Sequence, residues 1–84
     1  MNRPMSELSQ ALEAALLAVA ARERRVEPVC FSVDYGKAAN GASPAIEARI
    51  DRATRSLIFA SAFARLDDGR TAATASAVYR VADN

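Results

Sequence analysis

Glu13 has the surroundings that best suit catalysis in this sequence. It lies among alanines and leucines, within the run that leads from Ala11 to Ala21. Burial in such a run would raise the pKa of the carboxyl group, which suits it to act as a general base or as a nucleophile. The other interpretation is a carboxylate in a solvated gap of the surface, or one paired with an arginine.

Three arginines spaced three residues apart form a second group, at positions 49, 52 and 55, and Ser56 follows them directly. Arginine suits phosphate because its planar guanidinium binds two oxygens at once. On their spacing alone, however, the three arginines are only a solvated run of charge.

Several kinds of chemistry are excluded because the chain has no histidine and a single cysteine. No Ser-His or Cys-His pair can form within it, and one cysteine without histidine cannot build a structural zinc site or an internal disulfide. We expect no metal and no cofactor. Cys30 alternates with core positions and is predicted to be a small buried hydrophobe. Phe31, Phe59 and Phe63 are also predicted to lie in the core.

A long helix is predicted over Met5–Arg25. Leu8, Leu12, Leu16 and Val19 follow the spacing of one helical face. The opposite face is apolar as well, with Ala14, Leu17, Ala18 and Ala21. A helix that is apolar nearly all round is normally buried nearly all round. Other parts of the chain must therefore wrap it.

Four strands are predicted after the helix, because apolar and polar residues alternate in four segments: Val29–Tyr35, Ile46–Asp51, Leu57–Leu66 and Thr71–Val81. Asp68-Gly69 between the last two marks a hairpin. Short connections imply an antiparallel sheet. The sequence thus predicts one α+β domain over residues 1–84, with a curved four-stranded sheet wrapped around the helix. Its many alanines would permit close packing of the two.

The core of a single copy is small, because 20 of the 43 hydrophobic residues are alanine. A chain of this length buries only about 60% of its unfolded surface. We expect a homodimer or higher homo-oligomer, with strands joined edge to edge. The net charge of +1 is evenly spread and predicts no nucleic-acid partner. The apolar run Ala14–Ala21 is too short to cross a membrane, and no signal peptide is evident, so a cytoplasmic protein is expected.

The strand region resembles the hotdog superfamily, especially acyl-CoA thioesterases of the phenylacetyl-CoA type. The resemblance covers about residues 6–82 and rests on the order of three segments: Phe31–Tyr35, Glu47–Arg52 and Phe59–Val81. It implies a helix wrapped by a curved sheet and a protein that hydrolyses or binds acyl-CoA thioesters. It also implies that Glu13 is the catalytic carboxylate. Coenzyme A contacts are implied for Arg52, Arg55, Ser56, Lys37 and Asn40.

Two alternatives stay open. Only about five residues precede the helix, where the family has a strand and a glycine-rich loop that polarises the thioester carbonyl. The chain could therefore be a catalytically inactive hotdog domain that binds a ligand or a protein partner. It could also be another helix-plus-curled-sheet fold, such as a cystatin-like one. The hydratase and dehydratase branches of the superfamily are excluded, since they depend on histidine.

Overall fold

The computed structural model describes residues 5–22, 24–36 and 44–82. One helix is followed by four strands, and the strands form a single antiparallel sheet in the order β1-β4-β3-β2. The elements are α1 (Met5–Ala20), β1 (Val26–Tyr35), β2 (Ala45–Ala53), β3 (Leu57–Arg65) and β4 (Thr71–Val81). The predicted α+β class, element order and antiparallel pairing are confirmed.

The turn between β3 and β4 forms where Asp68-Gly69 predicts it. Gly69 has a φ of 90°, in the region that favours glycine. The Asp68 carboxylate accepts hydrogen bonds from the backbone N–H of Arg70 at 3.0 Å and from its Nε at 2.7 Å. Because this hairpin fixes the register of β3 on β4, it also fixes which side chains of the two central strands face the helix.

The core lies between α1 and the alanine-rich face of the central strands. The helix buries one row of side chains at every fourth residue: Leu8, Leu12, Leu16 and Ala20. Beneath them the sheet presents small side chains flanked by two larger ones: Ala60, Ala62, Ala64, Ala73, Ala75, Ala77, Ile58 and Tyr79. Methyl-sized side chains allow the helix to approach the sheet closely, as the composition predicts.

The helix is shorter than predicted, ending at Ala20 instead of Arg25. Arg22, Arg24 and Arg25 lie in the connection to β1 and are exposed. The chain turns back here: the carbonyl of Arg25 accepts a hydrogen bond from Ala82 N–H at 2.9 Å, beside the end of β4. Ending the helix at Ala20 keeps these charged side chains in solvent.

The prediction that the sheet wraps the helix nearly all round is wrong for the single chain. Four strands cover one side of α1, and the other side exposes Ala11, Ala14, Leu17 and Ala18. Leu17 is 43% exposed. The sheet is open, so it covers only the side of the helix that carries the buried row and Val19.

The predicted burial of Cys30 is also wrong, and two of the three phenylalanines lie away from the helix. Cys30 pairs with Val78 in the register, on the outer face of the sheet, and is exposed. Phe59 and Phe63 lie half-buried on this outer face, because their neighbours at even positions in β3 face α1. Phe31 lies on the helix side and packs against the core.

The outer face of the sheet carries a cluster of paired charges around Phe63. The guanidinium carbons of Arg49 and Arg65 lie 5.2 Å and 5.3 Å from the ring centroid. Arg49 pairs with Asp51 at 3.1 Å and Arg65 with Glu47 at 3.2 Å. Each guanidinium pairs with its own carboxylate, and both lie against the same aromatic ring. The cluster therefore stabilises the pairing of β2 with β3.

Truncating the helix row should destabilise the fold far more than truncating the exposed face. Leu12 is fully buried, so Leu12→Ala is expected to lower the free energy of unfolding by about 3 kcal/mol. Leu17→Ala, which removes the same atoms from the exposed face, is expected to cost under about 1 kcal/mol. Urea unfolding at one fixed protein concentration measures both; equal losses would contradict the packing described.

Candidate functional site

Glu13 lies on the flank of α1 that faces the β1 side of the sheet. It follows the buried Leu12 by one residue, about 100° round the helix. Val19, six residues further on, lies on the other flank, where it lines a groove with Ile50 of β2. Glu13 is exposed in the single chain, so the burial expected from its apolar neighbours is absent there.

Tyr79 of β4 is a buried residue whose pKa is affected by the charge of Glu13. Its side chain is 2% exposed, and the residue pairs with Ile58 of β3 and Pro28 of β1. Burial raises the pKa of the Tyr79 phenol above its ordinary value, and the negative charge of Glu13 raises it further. Burial is the larger of these two causes.

The raised pKa of Tyr79 predicts a loss of stability at alkaline pH. Below about pH 10 the phenol is protonated in both the folded and the unfolded chain. Above that pH the unfolded chain loses the proton first, so the free energy of unfolding falls as pH rises through the folded pKa. Urea unfolding between pH 8 and 11 should show a shallower fall for Tyr79→Phe than for wild type. Identical slopes would contradict this assignment.

The structure brings Arg52, Arg55 and Ser56 together at the β2–β3 turn, and all three are exposed. The turn is held on both sides. Thr54 Oγ1 accepts a hydrogen bond from Leu57 N–H at 3.0 Å, and the Ser56 carbonyl accepts one from Val81 N–H at 2.8 Å. No hydrogen bond or ion pair joins Glu13 to this turn in the part of the chain that the structure describes. Lys37 and Asn40, the other predicted ligands, lie outside the described residues.

Arg24 also reaches this turn, which the sequence did not indicate. Its Nη1 donates a hydrogen bond to the Thr54 carbonyl at 2.9 Å, although thirty residues separate the two. With Arg22 it borders a groove of about 290 Å³ between the end of α1 and β2, also lined by Val19, Ala20, Ile50, Ala53 and Ile58. From sequence alone these arginines are simply cations following a helix; only the fold places them beside Arg52 and Arg55.

The described residues give this end of the molecule an excess of positive charge. Four arginines of the described chain have carboxylate partners: Arg49, Arg65, Arg70 and Arg80. The other five have no carboxylate partner within residues 5–22, 24–36 and 44–82, and all lie at the end of the sheet where α1 and β2 finish: Arg22, Arg24, Arg25, Arg52 and Arg55. Such an end attracts anions.

No group of three or more potential metal ligands of the histidine, cysteine or carboxylate type occurs among residues 5–22, 24–36 and 44–82. None of the helical segments within those ranges is long and apolar enough to span a bilayer.

Solved structures match this chain, whereas no protein-family model and no curated protein does. The BH2602 protein from Bacillus halodurans, solved with CoA, matches with a TM-score of 0.77 and 17% identity. A hypothetical thioesterase from Streptococcus pneumoniae TIGR4, solved with coenzyme A, matches with a TM-score of 0.81 and 16% identity. A mutant of that thioesterase reaches a TM-score of 0.84, with 16% identity over 99% of this chain and 70% of its own.

These matches cover nearly the whole chain, 90% for BH2602 and 99% for the pneumococcal thioesterase. The chain has the hotdog fold. In the reverse direction it spans 56% of BH2602 and 68% of the pneumococcal protein. The predicted resemblance to thioesterase-type hotdog proteins is therefore confirmed at the level of fold, and the cystatin-like alternative is not supported. At these identities the hotdog fold is what is shared.

Proposed function

We propose that this protein hydrolyses acyl thioesters of coenzyme A, with Glu13 in a slot between two copies of the chain. The observation that carries the proposal is the match, over most of the chain, to hotdog structures solved with coenzyme A bound. The carboxylate on the helix flank and the arginine-rich turn supply the two kinds of group that such a ligand requires.

The edge of β1 is the surface best suited to join two copies. Its central run, Val29–Val33, carries no charge, and Val29 is 49% exposed. The opposite edge strand, β2, is protected by charged side chains: Glu47, Arg49, Asp51 and Arg52. Charged edges discourage strand pairing, whereas an uncharged edge invites it. Pairing along β1 would extend the sheet on the side of α1 that bears Glu13.

A second copy paired in this way would remove Glu13 from water, whereas in the single chain the carboxylate is exposed. A carboxylate removed from water has a raised pKa and becomes a better proton acceptor near neutral pH. Glu13 would take a proton from water as the water oxygen bonds to the thioester carbonyl carbon. Collapse of the intermediate breaks the C–S bond, and Glu13 returns its proton to the departing sulfur. The products are the thiol of coenzyme A and a carboxylic acid, which ionises in water. Direct attack by Glu13, followed by hydrolysis of the resulting anhydride, gives the same products.

The phosphates of coenzyme A would bind at the β2–β3 turn. Arg52 and Arg55 are exposed there with no carboxylate partner among the described residues, and Ser56 offers a hydroxyl. Lys37 and Asn40 stay candidate ligands from the sequence, and a cytoplasmic location stays a prediction.

A panel of acyl-CoA substrates tests the proposal directly. We expect at least one acyl group, short, medium or aromatic, to be hydrolysed with kcat/KM of about 10⁴ M⁻¹ s⁻¹ or more. The exposed thiol of Cys30 would react with the reagent that detects released coenzyme A. The assay should therefore use Cys30→Ser, or follow the thioester absorbance. No turnover of any substrate would refute the enzymatic proposal.

The catalytically inactive alternative is favoured by one observation, the exposure of Glu13 in the single chain. A protein of this second kind would bind coenzyme A without hydrolysing its esters. Thermal unfolding with and without coenzyme A separates the two, since a ligand that binds only the folded state raises the midpoint. Stabilisation without turnover supports binding alone, whereas stabilisation with turnover supports the enzyme.

A further inference from the structure

The groove between the end of α1 and β2 combines an apolar floor with a cationic border. Its floor is formed by Val19, Ile50, Ile58 and two alanines, and its border by Arg22 and Arg24. Ile50 is 43% exposed here, although its partner on β3, Ala60, is buried in the core. A single chain thus leaves apolar surface uncovered directly beside two guanidinium groups.

One hydrogen bond holds Arg24 at the border of the groove. Its Nη1 hydrogen bond to the Thr54 carbonyl links the α1–β1 connection to the β2–β3 turn. That bond uses one of the five N–H donors of the guanidinium, so the others remain available to a ligand. Arg22 lines the same groove and has no carboxylate partner within the described residues.

We propose that this groove binds an amphipathic anion, a short alkyl chain that ends in a carboxylate or a phosphate. The alkyl chain would lie on Val19, Ile50 and Ile58, and the oxyanion would contact Arg22 and Arg24. The volume of about 290 Å³ is at the small end for ligand sites, which limits the occupant to one short chain. Glu13 lies on the other flank of α1, so the site is distinct from the proposed catalytic slot.

Methyl-detected NMR titration of the full chain tests this site without coenzyme A or turnover, so its outcome is independent of the proposed function. Octanoate and octyl phosphate are the two anionic probes. Either should shift the methyl resonances of Val19, Ile50 and Ile58 saturably, and the tighter one identifies the head group. Octanol should bind at least about fivefold more weakly, because it lacks the charge. Hexanoate should bind about tenfold more weakly than octanoate if two methylenes leave the floor.

Matched variants distinguish binding in the groove from nonspecific attraction of the anion to positive charge. Arg22→Gln with Arg24→Gln should weaken octanoate binding at least about fivefold. Arg25→Gln removes one positive charge from the same connection. Arg25 is not among the residues that line the groove, so this variant should leave binding unchanged. Ile50→Gln should weaken binding, whereas Leu17→Gln, with the same 43% exposure, should not.

Four results would overturn the inference. Three are saturable shifts at methyl groups outside the groove, octanol binding as tightly as both anions, and an Arg25→Gln effect equal to that of the double variant. The fourth is the absence of any saturable shift with both anions. The surface variants keep the buried row of α1 intact, so an unchanged NMR spectrum without ligand confirms that each is folded.

Discussion

Glu13→Gln should lower kcat/KM for acyl-CoA hydrolysis by about 10²–10⁴-fold, the range usual for loss of a general base. A lost nucleophile would cost at least as much, because glutamine can neither accept the proton of water nor attack the thioester carbonyl. The size and shape of the side chain are kept, so binding of coenzyme A should change little. Steady-state hydrolysis of the best substrate in the panel measures the effect.

The matched control is Glu47→Gln, which removes the same charge from the outer face of the sheet. Glu47 pairs with Arg65 and lies far from the helix flank, so hydrolysis should be unchanged. Glu13 is exposed in the single chain, so Glu13→Gln should alter its unfolding free energy by no more than about 0.5 kcal/mol. Undiminished hydrolysis by a folded Glu13→Gln protein would remove Glu13 from the mechanism.

Val29→Lys should separate the two copies of the proposed dimer. Pairing along β1 would place the two introduced lysines on the shared edge, where an unpaired charge and the repulsion between like charges each oppose association. We expect the dissociation constant to rise about 100-fold or more, a change that sedimentation equilibrium detects across a concentration series. Hydrolysis should fall in parallel, because the Glu13 slot needs the second copy.

Ile50→Lys is the matched control for this prediction. Ile50 is an exposed apolar residue of the other edge strand, and its exposure of 43% is close to the 49% of Val29. It should leave the association state unchanged. Glu13→Gln should likewise stay dimeric, which separates loss of chemistry from loss of assembly. Dissociation by Ile50→Lys but not by Val29→Lys would place the interface on β2.

The order and pairing of the elements could be predicted because they depend on local patterns. Alternation in four segments indicates strands, and Asp68-Gly69 indicates a tight turn between the last two. The row Leu8, Leu12 and Leu16 indicates the buried side of the helix, since large aliphatic residues repeat there at helical spacing. These features need no knowledge of distant contacts.

Which face of the helix and of each strand is buried was harder to predict, because alanine occurs on buried and exposed surfaces alike. In β3 one side carries Phe59 and Phe63 and the other carries alanines, and both are apolar enough to be a core. The helix packs on the alanine side, since small side chains permit close approach. Similarly, Ala14 and Ala18 suggest a buried helix face, yet the four strands of one chain cannot reach it.

The arrangement of the candidate site depends on long-range contacts that no local pattern contains. Arg24 meets the β2–β3 turn across thirty residues, through one hydrogen bond to a carbonyl. This contact forms because the α1–β1 connection passes beside the β2–β3 turn, an arrangement that no sequence motif encodes.

The proposal that two copies join along β1 can be tested most directly through Cys30, the single cysteine of the chain. It is exposed and near the middle of β1, so a nitroxide label attached to it requires no other substitution. Strands paired edge to edge lie about 4.8 Å apart, so electron spin resonance should give a label-to-label distance below about 25 Å. A dimer with labels more than about 40 Å apart, or a protein without any dipolar coupling, would contradict the account.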